Sequence, residues 1–113
     1  MFCAGKVPPG SAVRLAPAQP VMGVAEGIET ALAAAQLFGA PTWAALSDGG
    51  VEKFEPPATT KHIIIFGDND AGGAGQRAAF ALAARLAPRM RVEVRIPEAA
   101  DTDWNDVLLI GNR

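Results

Sequence analysis

With 113 residues, half of them apolar, the chain is one domain's worth of sequence and large enough to bury a core. Ten basic residues against twelve acidic ones leave a formal charge of −2, which excludes a nucleic-acid binder that relies on its own basic excess. A single cysteine, a single histidine and no tyrosine exclude a disulfide framework, a Cys/His zinc site made by this chain alone, and any reaction through a tyrosyl-phosphate link.

The first twenty residues carry prolines at 8, 9, 17 and 20 and read as a lead-in or linker remnant, in which Ala12 to Leu15 forms at most a short edge strand. They lack the continuous apolar segment of a signal peptide, and no run is long enough to cross a membrane, so a cytoplasmic location is expected. The domain proper is expected over residues 21–113. Val21 to Ala25 suits a buried strand, and from Gly27 the spacing of Ile28, Leu32, Ala35 and Phe38 predicts a helix that packs on that face and stops at Gly39. Thr42 to Leu46 reads as a second strand, Ser47-Asp48-Gly49-Gly50 as a flexible loop, and Val51 to Phe54 as a short helix. After Pro56 and Pro57, His62 to Phe66 is the clearest strand, apolar without alternation as burial on both faces requires. Gln76 to Ala87 is an alanine- and leucine-rich helix ended by Pro88. Val92 to Ile96 alternates apolar and charged residues and belongs nearer a sheet edge, and a terminal helix follows Asp103. Strands alternating with helices at this spacing predict an α/β fold, a Rossmann-like three-layer sandwich around a mostly parallel four-stranded sheet, with room for an extra N-terminal edge strand.

Acids end two of the predicted strands. Glu26 follows the first and precedes Gly27, while Asp68-Asn69-Asp70 follow the third after Gly67. Ligands of open α/β sheets bind at the carboxyl ends of the strands, so acids arriving there from separate strands point to divalent metal and phosphate chemistry. Taken alone, Glu26 is better read as serving the first turn of a helix. Asp68 and Asp70 say more, because alternate residues of an extended segment point the same way. Two carboxylates 4 Å apart repel by roughly 4 kcal/mol at an effective dielectric of 20, which a cation between them would remove. The alternative is an aspartate-rich turn that caps the next helix. Asp103 and Asp106 fit a helix cap and a metal ligand equally well. Gly27, Glu29, Ser47, Gly73, Gly75 and Arg77 are weaker candidates for contact with substrate or phosphate, at turns and helix starts beside these acids. Trp104 reads as a packing anchor and His62 as a surface residue. Arg85, Arg89, Arg91 and Arg95 form at most a mild basic face.

In this order the segments resemble the toprim domain shared by bacterial-type primases, topoisomerases and certain nucleases, from about Val21 to Leu109. Glu26-Gly27 matches that family's glutamate-glycine motif, and Asp68-Asn69-Asp70 its aspartate-any-aspartate motif. Glu26 to Leu32, Gly67 to Asp70 with the later Gly75-Gln76, and Thr102 to Leu108 are similar to phrases in plasmid and phage primases and primase-helicases. The resemblance implies Glu26 as general acid/base and metal ligand, Asp68 and Asp70 as catalytic ligands of Mg²⁺ or Mn²⁺, and Asp103 and Asp106 as outer or second-metal ligands. It implies nucleotidyl transfer for RNA primer synthesis on single-stranded DNA, with nucleoside triphosphates as substrates and a helicase or other replication partner. A metal-dependent nuclease and a non-catalytic module binding nucleic acid or a replication partner are the alternatives. Many relatives place an aspartate four residues after the motif glutamate, where this chain has Thr30, and Glu29 is the neighbour expected to compensate. The family's zinc-binding, template-holding and helicase regions have no counterpart here, so the chain is expected to be a fragment.

Overall fold

The computed structural model describes residues 12–111. Four strands, β1 (Val21–Ala25), β2 (Thr42–Ala44), β3 (His62–Phe66) and β4 (Arg91–Arg95), alternate with four helices, α1 (Ile28–Phe38), α2 (Asp48–Lys53), α3 (Ala74–Leu86) and α4 (Trp104–Gly111). The strands form one sheet in the order β2-β1-β3-β4, and all three pairings are parallel. No helix among the described residues is long and apolar enough to cross a membrane.

Alternate residues of the central strands feed two separate cores, which explains their unbroken apolar runs. Met22, Val24, Ile63 and Ile65 pack with Val51, Phe54 and the α3 residues Ala78, Ala79, Leu82 and Leu86. On the opposite face Ala25, Ile64 and Phe66 pack with Ala31 and Ala34 of α1 and with Trp104 of α4. Trp104 is the expected anchor: its ring meets Phe38 and Phe66 edge-on at centroid distances of 5.1 and 5.9 Å, and its indole N–H donates to Arg95 O at 3.3 Å. The sandwich therefore has its three layers, with α1 and α4 on one face and α2 and α3 on the other.

Several local expectations change. The face that α1 buries is Thr30, Ala31, Ala33 and Ala34, whereas Leu32 is 53 % exposed and Ile28 36 %. Small side chains let the helix axis approach the sheet, and that close approach outweighs the larger apolar residues of the predicted stripe. Gly39, in the left-handed conformation, ends α1 as expected. Ser47-Asp48-Gly49-Gly50 is not a flexible loop: Ser47 caps α2 by accepting from Gly50 N–H at 2.9 Å, and α2 starts at Asp48. Helix α3 starts two residues earlier than predicted and β4 one. His62 is half-buried, with Nε2 3.3 Å from Glu93 Oε1, rather than a plain surface residue. Of the proposed lead-in, residues 1–11 lie outside the described residues. Its remainder covers the β2 edge, with Val13 paired antiparallel to Ala44 in a single bridge and Trp43 Nε1 donating to Ala16 O at 2.8 Å. The arginines do not form one basic face, because Arg85 and Arg89 bind Glu55 while Arg95 binds Glu93 and lies over Phe38.

Candidate metal centre

Strand order determines where the site lies. The chain leaves β1 through α1 on one face and leaves the adjacent β3 through α3 on the other, so the sheet's topological switch falls between β1 and β3. Ala25 is in register with Phe66, so Glu26 and Gly67-Asp68 leave neighbouring strands at the same level. On the other side of β1, Ala25 is in register with Ala44, and Leu46 N–H donates to Glu26 O at 2.6 Å. Leu46 holds φ at 75°, a conformation that costs a non-glycine residue about 1 kcal/mol or more, and beyond this turn Asp48 stands beside the glutamate. Glu26, Asp48, Gly67, Asp68 and Gly75 then line one small recess.

Asp68 is the most constrained of these acids. Its Oδ1 is buried and meets no hydrogen-bond donor among the described residues. Burial first, then the charges of Asp103, Glu26, Asp70 and Asp48, push its carboxyl up to about 6. Glu26 is raised as well, by burial and then by Asp48 and Asp70. Charges from four separate chain segments thus converge on one carboxylate.

Asp70 is bound differently. Its Oδ1 accepts from Ala74 N–H and its Oδ2 from Gly75 N–H, both at 3.0 Å, so it caps α3 while standing beside the other acids. A Cβ on Gly75 would lie 2.9 Å from Asp70 Oδ2 and 3.2 Å from Asp68 O, which is why glycine stands there. Gly73 N–H donates to Asp70 O at 3.1 Å, and Arg77 Nη1 folds back onto Gly72 O at 3.0 Å. The first amides of α3 are therefore occupied within the chain. Those of α1 are not capped by a side chain, since Gly27 supplies none, and Glu29 lies exposed in that first turn.

The third acidic segment arrives alongside β3. Asp101, Asp103 and Asp106 share a pocket of about 270 Å³ with Asp68, Asn69 and Asp70. Asp103 and Asp106 bond reciprocally, Asp106 N–H to Asp103 Oδ1 at 2.8 Å and Asp103 N–H to Asp106 Oδ2 at 3.1 Å, the capping box of α4.

Thr30 is buried in α1, and the carboxylate that stands by Glu26 is Asp48 rather than Glu29. Sequence reasoning missed Asp48 by reading its segment as a loop, although the residue opens the helix that follows β2. It also gave Asn69 no role of its own and Gln76 only a possible phosphate contact, whereas their amides join the acidic segments. Among the described residues no three acid, histidine or cysteine side chains are arranged to hold one ion by themselves. An ion such as Mg²⁺ binds through one or two carboxylates and keeps waters and substrate phosphates as its other ligands, so the oxygen donors here, with Asp68 Oδ1 unpartnered, fit it.

The Toprim domain family profile matches residues 21–112, which includes every acid of the site. This chain belongs to the Toprim domain family. A crystal structure of a DNA primase domain from Pseudomonas aeruginosa is similar to this toprim domain, with a TM-score of 0.57 and 20 % identity. The alignment covers 80 % of this chain and 29 % of that one, so the toprim domain spans about a third of the primase structure it resembles. No curated protein matches the sequence.

Proposed function

We propose that this toprim domain is the divalent-metal centre of a primase-like nucleotidyltransferase that makes RNA primers on single-stranded DNA from nucleoside triphosphates. The observation that carries the reading is Asp68, whose buried oxygen meets no donor among the described residues at the sheet's switch point while four other acids crowd its carboxyl. A bound Mg²⁺ or Mn²⁺ would neutralise that crowding, activate an attacking hydroxyl and steady the leaving oxygen in phosphoryl transfer.

The chain's own groups divide the remaining work. Glu26, whose proton is held to higher pH than an ordinary glutamate's, is the general acid/base. Asp68 anchors the ion, and Asp70 lends charge to it while fixing the start of α3. Asp48 supplies the carboxylate that Thr30 leaves out, and Asp103 stands as an outer ligand with Asp106 supporting it. The uncapped start of α1 and the guanidinium of Arg77 are places for substrate phosphate.

Titration with Mn²⁺, followed by water-proton relaxation, tests the centre. Wild type should bind weakly and Asp68→Asn not at all, and equal binding by the two would overturn the assignment. Incubating labelled single strands with metal, with and without nucleoside triphosphates, tests the activity: cleavage that needs no triphosphate would make the domain a nuclease.

A further inference from the structure

Asn69 stands between the two aspartates at the end of β3 and makes more connections than either. Its backbone pairs antiparallel with Thr102, Asn69 N–H to Thr102 O at 2.9 Å and Thr102 N–H to Asn69 O at 3.2 Å. Its Nδ2 donates to Pro97 O at 2.8 Å and Glu98 O at 3.3 Å. Those carbonyls only accept, so the side-chain oxygen must face the other way, where Gln76 Nε2 donates to it at 3.1 Å. The same Gln76 nitrogen reaches Asp70 O at 3.2 Å. One amide therefore ties the end of β3 to α3 and to the segment that joins β4 to α4.

Beyond this amide, the backbone pair at Thr102 and the burial of Pro97, that segment has little to hold it. On one side Ile96, Pro97, Ala99 and Thr102 border a cavity of about 590 Å³, and on the other Asp101, Thr102 and Asp103 border the acidic pocket. Residues 98–101 are exposed, and Asp101 turns through a φ of 55°. Between the buried Pro97 and the half-buried Thr102 the strap is open to solvent and gains little from packing, so its hydrogen bonds decide where that stretch lies. An aspartate at position 69 would have the right shape but would set a carboxylate against two carbonyls.

We propose that Asn69, held in orientation by Gln76, is a positioning residue that latches the 97–103 strap against the metal centre and so sets Asp103 beside Asp68. The latch rests on geometry alone. Its consequence for the centre rests on the metal reading proposed above.

Two readouts on the whole chain separate these. In Asn69→Ala the amide hydrogen of Thr102 should exchange about tenfold faster or more, while Ile64 in β3 is unchanged. Asn69→Asp should reproduce the effect, and Gln76→Leu should give a smaller change in the same direction and carries the comparison if the alanine variant does not fold. Unaltered exchange at Thr102 would overturn the latch. For the centre, Mn²⁺ affinity should fall in Asn69→Ala and in Asp103→Asn, which keeps the α4 cap because asparagine is a good cap residue. In the Asp103→Asn background Asn69→Ala should cost nothing more, since it acts through Asp103. Additive losses would overturn the positioning role. If wild type binds no Mn²⁺, the metal reading fails, and exchange at Thr102 still decides the latch.

Discussion

At Asp68 stability and chemistry oppose one another in one carboxyl group. The folded chain holds its proton up to about pH 6, whereas an unfolded aspartate releases it near 4, so folding is favoured by this group at low pH. The contribution is complete below the unfolded value and is lost as pH rises through about 6. Glu26 shifts in the same direction. Glu55, held low by Arg89 and Arg85, has the opposite sign, but its contribution changes only below the ordinary glutamate range. Solvent around the half-buried Asp68 carboxyl reduces its effect to about 1 kcal/mol, or roughly 4–8 °C in Tm for a domain of this size. Metal-free wild type should therefore melt higher at pH 5 than at pH 7.5. Asp68→Asn should raise Tm at pH 7.5, flatten the dependence and abolish Mn²⁺ binding. Thermal unfolding of both proteins with chelator present checks this, and a wild-type Tm that rises with pH across that window would refute the crowding of acids around Asp68.

At the level of elements, helix starts organise the site. Asp70 caps α3, Ser47 caps α2 and Asp103 caps α4, and each cap brings a carboxylate to the strands' carboxyl ends. Asp106 closes the box on α4 from an exposed position, so Asp106→Ala should cost about 1 kcal/mol through the lost cap while moving Mn²⁺ affinity far less than Asp103→Asn does. Urea unfolding beside a Mn²⁺ titration of the two variants checks both parts. The strands were legible because burial on both faces writes an unbroken apolar run, as in His62–Phe66. Helix starts were less so, since glycines at 49, 50, 73 and 75 mimic loops in a one-dimensional pattern, while in space Gly50 and Gly75 stand close to backbone and Gly73 makes a left-handed turn. The acids at 26, 68 and 70 could be found from their place after strands. Asp48 was hidden by its glycine neighbours, and Asn69 by the absence of any periodic signal for a side chain whose partners lie 28 and 29 residues away.

For the molecule as a whole, charge is distributed against its proposed substrate. The net charge is only −2, but Glu26, Asp48, Asp68, Asp70 and Asp103 gather at one edge of the sheet, while Arg85, Arg89 and Arg95 are engaged with Glu55 and Glu93 elsewhere. Without a cation that edge repels a polyphosphate, and with one it attracts phosphate only locally, since among the described residues Arg85, Arg89 and Arg95 are engaged elsewhere. The chain by itself should thus show no measurable grip on labelled single-stranded DNA in chelator and weak binding in millimolar Mn²⁺. Few phosphates are neutralised by protein cations, so the salt dependence should be shallow, near one or two in the slope of log affinity against log salt. Fluorescence anisotropy over a salt series, with Mn²⁺ and then with chelator, makes the comparison. Tight binding that persists in chelator would place the nucleic acid on some other surface and remove the acidic edge from its path, whereas metal-dependent binding lost in Asp68→Asn would bring strand and ion to the same carboxylate.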